Sequence, residues 1–335
     1  MTDPETGAPA VGPPARPPGP VPAGYVPREW LQQQPPPAPP PPQHSPSLAG
    51  AAWSPAGARA TDLAAAPPPN VDVPFLDTPW VPPKTPRQAW YWLIFAVAGF
   101  VVGQLGATIF AFIAAAVAGK TAQLQTIATQ TVPPEWYVVS TLIGLWIGFV
   151  GAPWLASRTQ GTKHFGRDLG IRFRWLDLLG ILFGIGGQIL ITVMYAPFQH
   201  DIKNFNAPSQ RLTGASHGTG FVVIAIATVL LAPAAEELFF RGLLLKSLVR
   251  LFTPLNAAGR ARVAGVVLAV IADGLLFGAA HGEWVQFAGL AGFGIVLAAI
   301  SYRTGRLGMN MVAHATFNLI AIIAIAVNGS VIFFH

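Results

Sequence analysis

Glu236, Glu237 and Arg241 lie within residues 221–245, a stretch otherwise so apolar that it reads as a membrane-spanning helix. A charge at membrane depth costs at least ~2.5 kcal/mol, so three such residues in six must face protein or a wet cavity rather than lipid. On a helix, positions four apart share a face, while adjacent positions point about 100° apart. Arg241 can therefore reach Glu237 and not Glu236. That pairing locks one face of the helix and leaves Glu236 to another neighbour, as a poorly solvated carboxylate of the kind that serves as general base or acid. Pro233, just upstream, frees a backbone carbonyl and can kink the helix before the pair, which helps to open a polar pocket.

Two further polar sets interrupt apolar segments downstream: Phe277-x-x-x-His281 and His314-x-x-x-Asn318, each with its end residues on one helical face. Glu236, His281, His314 and Asn318, carried inward on three helices, make a set able to activate water and bind a developing oxyanion. Glu236, His281 and His314 are equally a nitrogen and oxygen donor set for zinc. Taken singly, each piece has a plainer reading: an intramembrane histidine packs and hydrogen-bonds, and a glutamate pair relays protons in a transporter.

The elements that must position these residues are transmembrane helices. Hydrophobic residues make up 52% of the 335-residue chain and charged residues 10%, the balance of a polytopic membrane protein rather than a soluble one. Seven runs of adequate length predict spans at about 90–118, 136–156, 176–198, 221–245, 263–281, 284–301 and 307–330. Nothing resembling a secretory signal opens the sequence, so insertion is expected to rely on these internal segments. The net charge of +6 comes from basic residues clustered between the spans. Arg158, Lys163, Arg167, Arg172 and Arg174 follow the second span; Lys246, Arg250, Arg260 and Arg262 follow the fourth; Arg303 and Arg306 precede the last. This pattern predicts a cell-membrane protein with a cytoplasmic amino terminus, and it accounts for the basic charge without nucleic acid. Glycines four apart (Gly99 with Gly103, Gly144 with Gly148, Gly180 with Gly184) predict close helix packing within the chain.

Residues 1–88 hold most of the 33 prolines and read as a disordered cytoplasmic tail of polyproline II character ahead of a transmembrane domain over 89–335. The tail is either a solvated linker or a docking segment for a proline-recognising partner. With no cysteine, the chain has no disulfide, thiolate nucleophile or sulfur ligand. Gly214-x-Ser216-x-Gly218 fits a nucleophile-elbow pattern but lacks the strand that the elbow requires.

In their order and spacing, Glu236-Glu237-x-x-x-Arg241, Phe277-x-x-x-His281 and His314-x-x-x-Asn318 resemble the CPBP family of intramembrane proteases, which includes CAAX prenyl endopeptidases and bacteriocin-processing enzymes. The likeness covers about 220–325. It implies an all-α membrane endopeptidase acting on a prenylated, leader or other membrane-associated peptide, with the bilayer as its surroundings. In that reading Glu236 activates water, His281 positions it, His314 and Asn318 stabilise the oxyanion, and Glu237, Arg241 and Phe277 support them. The family has been regarded as metalloproteases too, but a metal-free glutamate mechanism fits the helical spacing better. A scaffold that retains the motifs, an immunity or partner-binding protein, and a proton-coupled transporter are the other functional classes.

One expectation concerns depth. Counted from the ends of the spans, Glu236 and His314 lie about 10 to 14 Å deep and His281 near 28 Å, at ~1.5 Å per residue. For the three to meet, residues 255–267 should run partly along the interface, and the break at His281-Gly282-Glu283 should be buried in protein. Asp273, two turns before His281, is expected to be a structural partner of a nearby base or an orienter of His281.

Overall fold

Proline at the first position of a helix loses no hydrogen bond, and a threonine just before it can cap the free amides. Helix α1, Pro86–Val117, begins this way: Thr85 is in an extended conformation and its Oγ1 accepts from the Gln88 amide at 3.1 Å. The first span therefore starts four residues ahead of the expected Trp90. The computed structural model describes residues 83–127, 133–198, 219–253 and 259–328. Residues 1–82, which make up nearly all of the expected tail, lie outside the described residues, as does the Gly214–Gly218 pattern.

Six more long helices follow: α2 Glu135–Gln160, α3 Trp175–Tyr195, α4 Thr219–Phe252, α5 Gly259–Ala280, α6 Phe287–Thr304 and α7 Gly308–Asn328. These seven are the described helices long and apolar enough to cross a membrane. The chain is an all-α, multi-pass membrane protein. On α1 the spacing of Val97, Val101, Leu105, Ile109 and Phe112 puts one apolar stripe outward, all five exposed. Its opposite face buries Trp92, Ala96, Gly99 and Gly103. A soluble helix would not show apolar side chains on both faces.

The glycine pairs do the packing within the chain, as expected. A Cβ at Gly148 would overlap the Gly99 carbonyl, and one at Gly144 would overlap Gly106, so α1 and α2 meet backbone to backbone. Gly180 and Gly184 seat α3 against the Met309 and Ala313 carbonyls of α7. Gly274 and Gly278 do the same for α5 against α6. Between these pairs runs α4, whose Phe239 stacks on Phe149 at 4.3 Å and whose Phe240 meets Phe277 edge-on at 5.2 Å.

At the end where α1 starts and α4 finishes, buried polar groups staple the loops to the helices. Lys246 donates to the Asp168 carbonyl at 2.6 Å, Ser247 to Ala89 at 2.8 Å and Arg250 to Lys84 at 3.1 Å. Arg306 pairs with Asp177 at 2.9 Å. Sequence reading grouped Lys246, Arg250 and Arg306 with the loop cations that orient the chain; all three are buried inside the protein instead. The cations left exposed at this end include Arg158, Lys163, Arg167, Arg172 and Arg174.

The direct backbone contact between α1 and α2 makes Gly148 sensitive to added volume. Gly148→Leu should lower stability by about 1–3 kcal/mol or more through overpacking, read as a lower melting temperature of the purified protein in detergent. Gly151, on the same helix with open space around its Cα, should tolerate Gly151→Ala without that loss.

Candidate active site

Glu237 sits at the centre of α4 with no solvent exposure, and every interaction it makes is charge-compensating or donating. Arg241 Nη1 donates to its Oε1 at 3.0 Å, Asn310 Nδ2 donates to its Oε2 at 3.1 Å, and His314 Nδ1 approaches Oε1 at 3.0 Å. Arg241 is also fully buried. Its Nη2 donates to the Gly294 carbonyl of α6 at 2.9 Å, its Nε faces Asp273 Oδ2 of α5 at 3.3 Å, and its guanidinium lies over the Phe277 ring at 4.4 Å. The i,i+4 pair inferred from spacing is thus present. Asp273 belongs to it as a structural partner, and does not orient His281.

Glu236 points elsewhere, as adjacent positions on a helix must. Its side chain is 15% exposed and its Oε2 lies 3.6 Å from His314 Nε2. His314 stands between the two glutamates, with one ring nitrogen toward each. Phe277, with no exposure, forms the wall between the buried pair and the outer groups. Its ring contacts His281 at 4.8 Å and His314 at 5.5 Å between centroids, both edge-on.

A cavity of about 380 Å³ opens beyond Glu236 and brings the four expected chemical residues together: Glu236, His281, His314 and Asn318 all line it. Its polar end adds Gln188 and Tyr195 of α3, and its apolar remainder is built from side chains such as Leu290, Phe293 and Ile322. The Tyr195 hydroxyl accepts from the Gly289 amide at 3.2 Å, near the start of α6. His281 Nδ1 lies 2.8 Å from the Phe277 carbonyl. A carbonyl only accepts, so Nδ1 carries the proton and Nε2 is left as an acceptor. Asn318 Nδ2 donates to the Thr228 carbonyl of α4 at 2.8 Å, which leaves one N–H of that amide uncommitted.

The route by which His281 reaches the site differs from the expectation. Gly259–Ala280 is one uninterrupted helix, so residues 259–267 form no separate interfacial segment, while 254–258 lie outside the described residues. His281 and Gly282 are exposed, at the mouth of the cavity and not buried in protein. The depths of Glu236 and His281 agree because α4 continues to Phe252. Glu236 then lies about 24 Å from that end, far deeper than a span ending at 245 would place it.

A zinc site built from Glu236, His281 and His314 does not fit this geometry. Among the described residues no three His, Asp or Glu side chains converge so as to hold a metal ion. Both oxygens of Glu237 are engaged by Arg241, Asn310 and His314, and His314 commits Nδ1 to that carboxylate. Asn310 itself escaped sequence reading. The signal was available, since it stands four residues before His314 on the face that carries Asn318, and it too is a polar side chain in an apolar helix.

Removing one member of a fully buried ion pair strands the other charge. Arg241→Ala and Glu237→Ala should each cost about 3–5 kcal/mol, measured as a large fall in melting temperature or in yield of folded protein. Arg241→Lys should recover little of this, because one ammonium cannot meet Glu237, Asp273 and the Gly294 carbonyl with the spread of a guanidinium.

Residues 218–320 match the family model described as Type II CAAX prenyl endopeptidase Rce1-like. Every residue of the polar cluster falls inside the match, and α1 to α3 fall outside it. No curated protein and no solved structure matches the chain. Over the part that carries Glu236, Glu237, Arg241, Phe277, His281, His314 and Asn318, the chain contains an Rce1-like CAAX protease domain.

Proposed function

We propose that the protein is an intramembrane endopeptidase in which Glu236 activates water to hydrolyse a peptide bond of a membrane-associated substrate. The observation that carries this reading is Glu236 Oε2: buried, without a hydrogen-bond partner, and set in the wall of the cavity that His281, His314 and Asn318 also line. Glu237 is so heavily compensated that it has no capacity left for chemistry. Glu236 has both capacity and access.

In the proposed reaction a water lies between Glu236 and the acceptor Nε2 of His281. Glu236 takes one proton as the water oxygen forms a bond to the scissile carbonyl carbon, and negative charge moves to the carbonyl oxygen. His314, held through Nδ1 by Glu237, and the second N–H of Asn318 stabilise that oxyanion. Collapse breaks the C–N bond, and the proton held by Glu236 passes to the leaving amine. Water is consumed, a carboxylic acid and an amine are formed, and Glu236 returns to its starting state.

The name of the matched family makes a prenylated peptide the first substrate to try, ahead of a leader peptide. The full chain in proteoliposomes should cleave a farnesylated peptide ending in Cys-aliphatic-aliphatic-X. Glu236→Gln should reduce the rate at least ~100-fold with an unchanged melting temperature. Full activity in that variant would sink the proposal. Cleavage should also survive treatment with a zinc chelator.

The exposed cations at the end where α1 begins support a cytoplasmic amino-terminal side. Because the chain has no cysteine, single introduced thiols report topology cleanly. In intact cells a membrane-impermeant maleimide should label Ala122→Cys and leave Arg167→Cys unlabelled until the membrane is opened; the reverse pattern would invert the topology.

A further inference from the structure

Helix α4 changes its hydrogen-bond register immediately before the catalytic segment. Residues Ala227–Leu231 form a π-helical turn, and the Ala232 amide donates five residues back to the Ala227 carbonyl. In that register the next donor, at position 233, would serve the Thr228 carbonyl. Position 233 is proline and has no N–H. The Thr228 carbonyl therefore has no partner within its own helix, and at membrane depth an unpaired carbonyl is costly. Asn318 of α7 supplies the missing donor: its Nδ2 lies 2.8 Å from that oxygen.

We infer that Pro233 and Asn318 act as a pair: the proline opens an acceptor on α4, the asparagine closes it from α7, and this tie sets the position of Glu236 against His314. Asn318 lies one turn beyond His314 on the same face of α7, and Glu236 lies three residues beyond Pro233 on α4. The two helices are thus joined on both sides of Glu236. On one side is the link from Asn318 to Thr228, and on the other the contact of His314 with Glu237 at 3.0 Å. Fixed between these two ties, Glu236 Oε2 comes to 3.6 Å from His314 Nε2. A second π-helical stretch, Leu238–Leu244, follows directly after Glu237. The catalytic segment Ala232–Glu237 is consequently a short α-helical insert whose rotation is not fixed by a regular ladder on either side. Asn318 is in this account a positioning residue that acts through the α4 backbone, in addition to its place in the cavity wall.

A double-mutant cycle on the full chain tests the pair, and its stability arm does not depend on proteolysis. Pro233→Ala restores an N–H at position 233 that can take the Thr228 carbonyl. Asn318→Ala should lower the melting temperature by about 2 to 4 °C in the wild-type background. In the Pro233→Ala background the drop should be less than half as large. An equal drop in both backgrounds would overturn the inference. If Asn318→Ala alone cannot be purified, recovery of folded protein on adding Pro233→Ala carries the same meaning, and failure to recover it overturns the pair.

The positioning arm rests on the endopeptidase reading and uses the farnesylated peptide. Asn318→Ala should lower kcat about tenfold or more with little change in KM, and Pro233→Ala should restore part of that kcat. Coupled melting temperatures with an unrestored kcat would show that Asn318 serves the substrate rather than Glu236, and would overturn the positioning role. Absence of cleavage by the wild-type chain would count against the endopeptidase reading alone, because the melting temperatures still decide the tie.

Discussion

A carboxylate with no exposure, compensated from three directions, is the interaction on which the arrangement of the domain depends. Glu237 receives Arg241 from its own helix and Asn310 and His314 from α7. Arg241 in turn holds α6 through the Gly294 carbonyl and α5 through Asp273. Four helices are thus fixed to one another around a single ion pair. In lipid, where apolar faces gain little by leaving one set of hydrocarbon for another, such directional contacts and close glycine packing carry the specificity that a hydrophobic core supplies in water. Phe277 completes the arrangement by lying flat under the guanidinium while presenting its edge toward both histidines. One ring therefore supports the buried ion pair and contacts both histidines that line the cavity.

The division of labour between neighbouring glutamates follows from geometry alone. Adjacent residues on a helix point about 100° apart, so burying Arg241 beside Glu237 turns Glu236 toward the cavity. A fully buried glutamate and a cavity-facing one are inseparable consequences of one helical turn. Helices α1 to α3 contribute none of the seven motif residues. Still, α3 supplies Gln188 and Tyr195 to the cavity, and Gln188 donates to the Phe317 carbonyl of α7 at 2.8 Å. The cavity therefore has a wall that lies outside the stretch matched by the family.

Much of this was legible from residue spacing. The i,i+4 relation of Glu237 and Arg241, the free orientation of Glu236 and the glycine contacts all follow from helical period, which is local information. What spacing could not supply was anything that depends on where one helix stops relative to another. The depth of Glu236 does not follow from hydropathy, which fades at Lys246 and Arg250; both side chains are buried and the helix runs on to Phe252. The same bias, reading every lysine and arginine near a span as a loop residue, concealed the roles of Lys246, Arg250 and Arg306. Asn310 was passed over for a related reason: a single amide in an apolar helix carries little weight until its partner on another helix is known.

The placement of Arg241 and Glu237 on one helix also bears on how the chain enters the bilayer. Synthesis runs from α1 to α7, so α4 is complete before Asp273, Gly294, Asn310 and His314 exist. Had the countercharge for Arg241 resided only on α5, α4 would have to enter the membrane carrying a bare cation. With Glu237 one turn away, the helix brings its own neutralising partner, and the later helices dock onto a pair already formed. Insertion and assembly are in this way separable steps: the first relies on a contact inside one segment, and the second adds the contacts among segments that make the domain specific.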